Sequence, residues 1–245
     1  PSRSSAASDV YKRQLHEGLP VLSIDTKKKE LLGNFYRKGT YYDLTHRKVN
    51  DHDFRSQADG IVIPHGIYDV GDNFGYLSLG NSKDTSAFVC DNLAYFWQND
   101  LQWKYPNAQA LLILCDGGGS NNASHYIVKQ DLYWLAQKLD IDILVAHYPP
   151  YCSKWNPIEH RLFCHVHRAW EGAVFQNMEL VKELAEMTTT STGLGIKVRI
   201  NDKEYQTKRQ ASPKFKNHIE KFVQFDEKLP KWNYWVKTRK RKVIF

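Results

Sequence analysis

Three acidic residues stand in settings that suit chemistry. Asp116 closes an apolar run in LLILCDGGGSN (residues 111–121), and Gly117, Gly118 and Gly119 follow it. The run reads as a buried central strand, and the glycines let the chain turn sharply with nothing bulky beside the carboxylate. An acid at the C-terminal edge of a buried strand sits where open α/β sheets bind ligands. In a plain strand-to-helix turn the same aspartate would be a cap. Asp25 ends PVLSID (residues 20–25) in the same pattern, with a strand-end turn as its ordinary role. Glu159 lies in SKWNPIEHRLF (residues 153–163), just after Asn156 and Pro157, which suit a helix start. It shares a helix side with Leu162, Phe163 and Val166, so its carboxylate would look inward. Its competing role is a capping box with Asn156. Three inward carboxylates repel one another and lose hydration, and divalent cations compensate both costs. Oxygen ligands without thiolates suit Mg²⁺ or Mn²⁺. Two such ions can clamp the attacking and leaving oxygens of a phosphoryl displacement.

The elements that must position these acids can be read in order. A strand over residues 20–25 is followed by a long insertion, 27–60, with Gly33, Gly39 and Gly60 and no clear period. Residues 61–70 and 74–80 form two strands around the turn residues Gly71, Asp72 and Asn73. A helix over 84–104 starts at Asp84 or Thr85 and buries Phe88, Leu93, Phe96 and Trp97. The strand before Asp116 comes next. A helix over 123–139 then turns Tyr126, Ile127, Leu132 and Leu135 inward, and a strand covers 141–146. Pro149 and Pro150 force a loop, and the Glu159 helix follows with Ile158, Leu162, Val166 and Trp170 inward.

Three antiparallel strands followed by alternating helix and strand predict an α/β, ribonuclease H-like fold. Its mixed five-stranded sheet carries helices on both faces and a long insertion between the first two strands. In that topology the first and fourth strands are neighbours, which brings Asp25 beside Asp116. Residues 1–14 resemble a translated sequencing adapter and are set aside, and on that reading the chain is expected to be a fragment. The catalytic core is expected over 15–175 and a C-terminal extension over 176–245. That extension carries a helix over 178–190, a strand over 193–200 and, in a polar remainder, one short helix near 218–223.

The 42% hydrophobic content can fill a core, and no apolar run is long enough to span a membrane. Cys90, Cys115, Cys152 and Cys164 form no CxxC pair and suit a reducing cytosol. Cys152, Cys164, His165 and His167 match no common zinc module. Seven basic residues and no acids fall in 228–245, which equals the net charge of +7 of the whole chain. Trp232, Tyr234 and Trp235 interleave with them, a pattern that suits phosphate neutralisation with base stacking, or a merely solvated terminus. In VNDHDF (residues 49–54), Asp51, His52 and Asp53 suit a metal or a turn held by side-chain hydrogen bonds.

SKWNPIEHRLF resembles the third-acid segment of mariner-like DDE transposases. Together, VNDHDF, LLILCDGGGSN, AHYPPYCSKWNPIEHRLF (residues 146–163) and TTTSTGL (residues 188–194) resemble the Rhodopirellula transposase family, over roughly residues 20–205. The resemblance implies cut-and-join chemistry on transposon ends, with Asp25, Asp116 and Glu159 as an acid triad binding two Mg²⁺ or Mn²⁺ ions. Asp51 and Asp53 compete with Asp25 for the first place. Asp116 and Glu159 are 43 positions apart, longer than in mariner-like enzymes. Also implied are transposon-end and target DNA as partners, a homo-oligomer on DNA, and a bacterial cytoplasmic, nucleoid-associated location. The resemblance also implies an N-terminal DNA-binding region, which is expected to be lacking from this sequence. Candidate DNA contacts are His147, Lys154, Asn156, His160 and Arg161 near the triad, and Lys237, Arg239, Lys240 and Arg241 in the tail. A nuclease of the same fold without strand transfer, or a remnant that only binds DNA, are the alternatives.

Overall fold

The two apolar runs that end in acids form adjacent parallel strands, β1 (Val21–Thr26) and β5 (Ala110–Cys115). Their alternating side chains feed opposite faces of one sheet. Leu22, Ile24, Leu111 and Ile113 join one apolar cluster, and Val21, Leu112 and Leu114 another. The structure, a computed structural model, describes residues 18–42, 48–50, 52, 54–149 and 155–238.

On one side of β1 lies the antiparallel hairpin of β3 (Gly60–Asp69) and β4 (Phe74–Gly80), turning through Asn73 in the left-handed region. On the other side, β5 pairs in parallel with β6 (Asp142–His147). These five strands are the predicted mixed sheet. The sheet is larger than expected, however, because the C-terminal extension widens it at both edges. β7 (Gly195–Asn201) pairs in parallel with β4. β8 (Val223–Phe225) and β9 (Asn233–Val236) form a hairpin whose second strand runs antiparallel to β6. With β2 (Glu30–Leu32) on β3, the sheet has nine strands, ordered β7-β4-β3-β1-β5-β6-β9-β8. The hairpin falls where the sequence suggests a polar stretch, since three- and four-residue strands are too short to show a period.

Helices cover both faces. α1 (Ser86–Phe96) is capped by Thr85, whose hydroxyl accepts the Phe88 amide at 3.2 Å, and continues through a π-helical turn, Trp97–Leu101. Asp84, the other candidate cap, instead accepts from the Thr26 hydroxyl at 3.2 Å. α2 (Tyr126–Leu139) packs beside α1 and ends at Asp140 in the left-handed region. Val128, Leu132, Leu135 and Ala136 form its buried side, while Tyr126, expected inward, lies exposed in its first turn.

The opposite face carries a π-helical turn, Glu159–Phe163, leading into α3 (Cys164–Ala169), and then α4 (Met178–Glu186). The insertion between β1 and β3 docks against this side. Arg37 stacks on Phe175 at 3.5 Å and donates to the Leu31 and Ala173 carbonyls. A short α5 (Pro213–Asn217) closes the α1–α2 face, where Phe215 stacks on Phe222.

Candidate active site

Asp25 and Asp116 come together through strand register. Ser23 of β1 pairs with Leu114 of β5, so two residues further on Asp25 stands opposite Asp116, at the C-terminal ends of both strands. Glu159 reaches the same corner because the segment carrying it lies flush on the sheet. Gly66, the β3 partner of Asp25, makes that approach possible: a Cβ there would fall 2.5 Å from Phe163 and 2.8 Å from Ile158. Ile158, Leu162, Phe163 and Val166 are buried, as the inward stripe predicts.

A buried polar clamp fixes the approach. The Ser23 hydroxyl donates to Asn156 Oδ1, Asn156 Nδ2 donates to the Ile24 carbonyl at 3.3 Å, and the Ile158 amide donates to Ser23 Oγ at 3.1 Å. The Glu159 amide donates to the backbone carbonyl of Asn156 at 3.1 Å, not to its side chain. Asn156 therefore ties the helix entry to β1, one residue before Asp25. It is fully buried and has both ends of its amide engaged, which removes it from the expected DNA contacts and from the expected side-chain cap. Sequence alone does not separate these roles, because asparagine before proline is a good helix start in either case.

Glu159 faces Asp25, with which it shares a hydrogen bond, so the capping box does not form. Burial, the charge of Asp116 and the charge and hydrogen bond of Glu159 push Asp25 up to about 7, against the pull of the Thr26 amide at 2.7 Å. Asp116 sits in an open turn, accepting from the Gly118 amide at 3.3 Å, and Gly119 takes φ +54°. Among the described residues no three His, Cys, Asp or Glu side chains converge closely enough to hold a metal ion, so the three acids do not form a ready-made metal site. The donor set still fits hard divalent cations: all its ligands are oxygens, and burial with the like charges of Asp116 and Glu159 bears on Asp25.

His147 ends β6 next to the Asp116 turn, but buried rather than presented to a ligand. Its Nδ1 lies 2.9 Å from the Trp232 carbonyl and its Nε2 3.0 Å from the Asn121 carbonyl, so it joins the glycine turn to the C-terminal hairpin. Burial holds its pKa below the ordinary histidine range. This corrects the expected DNA contact; its place at a strand end is the only signal the sequence offers. His160 and Arg161 are exposed on the π-helical turn. Lys237 is exposed but lies past Val236, which pairs with Ile143 at the end of the sheet remote from the acids. Lys154, Arg239, Lys240, Arg241, Asp51, Asp53 and Cys152 lie outside the described residues, as do residues 1–14.

Antiparallel strands feeding parallel ones, helices on both faces and acids at the adjoining ends of β1 and β5 define a ribonuclease H-like domain. The chain belongs to the Rhodopirellula transposase DDE domain family, whose model matches residues 6–238. Solved structures agree on the fold. The Mos1 strand transfer complex is similar with a TM-score of 0.51 and 20% identity, over 75% of this chain and 51% of the Mos1 chain. The Mos1 transposase paired-end complex with left transposon end gives 0.50 and 20%, over 73% and 50%. The chain thus spans about half the length of these proteins. A comparison with curated proteins returned no match. No helix among the described residues is long and apolar enough to cross a membrane.

Proposed function

We propose that this domain cuts the phosphodiester at transposon ends and joins the freed 3′-OH to target DNA, with Asp25, Asp116 and Glu159 as its catalytic acids. The observation that carries this is Asp25: opposite Asp116, hydrogen-bonded to Glu159, and pushed up to about 7 by burial and by the charges of these two acids. Mg²⁺ or Mn²⁺, two ions in the full reading, would supply charge to the phosphate and a nucleophile at neutral pH. The protein's own contribution is positional. The Ser23–Asn156 clamp sets Glu159 against β1, the glycine turn leaves Asp116 open to a strand of DNA, and His147 braces that turn. The raised Asp25 carboxyl would have to give up its proton before it could serve as a metal ligand. Arg161 and His160, exposed beside Glu159, would meet phosphates in this reading. A homo-oligomer holding two DNA ends belongs to the same proposal.

The test uses DNA carrying the element's own ends, in Mg²⁺ and in Mn²⁺. Asp116→Asn should lower cleavage roughly 10³-fold or more while DNA binding persists, since affinity rests on basic contacts to phosphate. Joined products distinguish a transposase from a hydrolytic nuclease. Cleavage by Asp116→Asn at the native rate would remove the metal assignment.

A further inference from the structure

Of Trp232, Tyr234 and Trp235, the aromatic residues interleaved with the basic tail, the fold spends two on packing. Tyr234 is 1% exposed, inside the α1–α2 core, and Trp235 packs against the cluster on the other face of β5 and β6. Trp232 differs. Its indole is half-buried, and its Cζ3 is the atom that a Cβ on Gly117 would meet, at 3.6 Å. Gly117 follows Asp116 directly, so the ring edge stands beside the acid corner.

This placement is built, not incidental. β9 starts at the acid end of the sheet, where Asn233 pairs with Ala146, and runs away from it. The turn before it is held from both sides. Asp226 Oδ1 accepts the Lys228 and Leu229 amides at 3.0 and 2.7 Å, and the Trp232 and Asn233 amides both donate to the Leu229 carbonyl at 2.9 Å. The Trp232 carbonyl meets the His147 amide at 3.0 Å and the His147 ring at 2.9 Å. Charge is not what this turn supplies: Asp226 and Glu227 balance Lys228 and Lys231. What it offers the corner is an aromatic ring.

We propose that Trp232 is a stacking platform for a nucleobase of the DNA strand lying across Asp116, held in place by the His147 brace. The proposal rests on the function argued above. A phosphate at the acid corner leaves the base of an adjoining nucleotide within reach of the indole, provided that base is unpaired. Stacking on an aromatic side chain tolerates any base, so the site suits single-stranded or opened DNA rather than one sequence.

The test uses the whole chain in Ca²⁺ with a short single-stranded oligodeoxynucleotide bearing 5-iododeoxyuridine at alternate positions. Ultraviolet crosslinking followed by peptide mapping should place a crosslink on Trp232. Trp232→Leu should weaken binding roughly 5- to 150-fold, while Trp232→Phe keeps most of it. The slope of affinity against salt should stay unchanged in both, because no phosphate contact is lost. Asp116→Asn should retain the crosslink. Native binding with no crosslink at Trp232, or equal weakening by leucine and phenylalanine, overturns the stacking proposal and leaves the nuclease assignment standing. An Asp116→Asn protein that cleaves normally but keeps the crosslink removes the nuclease assignment alone. Absence of any binding by the native chain overturns both.

Discussion

Asp25 and Asp131 are both drawn out of water, and the fold treats them in opposite ways. Asp131, on α2, is 8% exposed and fully answered: Arg209 reaches it with two parallel hydrogen bonds of 2.9 Å, and the Ser86 hydroxyl adds a third at 2.6 Å. Asp25 receives one backbone amide and then two more carboxyl groups. The first arrangement holds the C-terminal extension to the core, since Arg209 precedes α5. The second stores an electrostatic cost that the folded chain does not relieve by itself. Paired burial holds structure together, and unpaired burial at a strand end is what the proposed metal site would require.

That contrast can be broken most forcibly at Arg209. Arg209→Ala strands the Asp131 carboxylate, and unfolding should become easier by about 2–4 kcal/mol; a fully buried partner would cost more, but the Arg209 side chain is 37% exposed. Chemical denaturation measures this, and a loss below about 1 kcal/mol would mean that Asp131 finds water instead.

At Asp25 the sign should reverse. Asp25→Asn keeps the shape, removes one repelling charge and can donate to Glu159, so the metal-free protein should gain on the order of 1–3 kcal/mol. The dependence on pH follows. The native carboxyl is raised from 3.8 to about 7, so the folded state holds a proton that the unfolded state releases, and stability falls as pH rises from about 4 to about 7. Asp25→Asn should be flatter across that window. Melting curves at pH 5 and pH 8 test both statements. Added Mg²⁺ or Mn²⁺ should stabilise the native chain and have less effect on the variant.

Asn156→Ala should lower metal affinity about 10- to 100-fold, because the clamp sets Glu159 without touching an ion. Isothermal titration with Mn²⁺ reads this directly, and an unchanged affinity would free Glu159 from the clamp. The smallest effect belongs to a paired acid in water. Lys182 and Glu186 are 3.7 Å apart and 38% and 42% exposed, so Lys182→Ala should shift stability by no more than about 0.5 kcal/mol.

Much of the fold was legible because its central elements are long and strongly patterned. The run 111–115, its partner 21–24 and the stripe Ile158, Leu162, Val166 lie where their periods predict, and the acids sit at their ends. What escaped was decided by tertiary contact. Asn156 at a helix start reads as a cap until Ser23, 133 positions away, claims its side chain. The π-helical turn at Glu159–Phe163 has no composition of its own. His147 and Trp232 meet only because β9 adds to β6, and a four-residue strand in a polar stretch gives no periodic signal. The basic tail looked uniform in sequence, yet the fold sends Trp232 and Lys237 to opposite ends of the sheet.

The hairpin of β8 and β9 also sets a timetable. The strands that frame the acids come from residues 21–26 and 110–147, but the brace beside Asp116 is completed only by residues 223–236. The β6–β9 pairing spans about the same sequence distance as β1–β5, so its lateness in synthesis comes from its place near the end of the chain. A chain emerging from the ribosome would carry Asp25, Asp116 and Glu159 well before Trp232 could reach His147. The brace at the Asp116 turn would thus arrive late in synthesis, after β1, β5 and β6 have emerged. Refolding of the whole chain, where all residues are present from the start, should therefore show Trp232 and the core changing together.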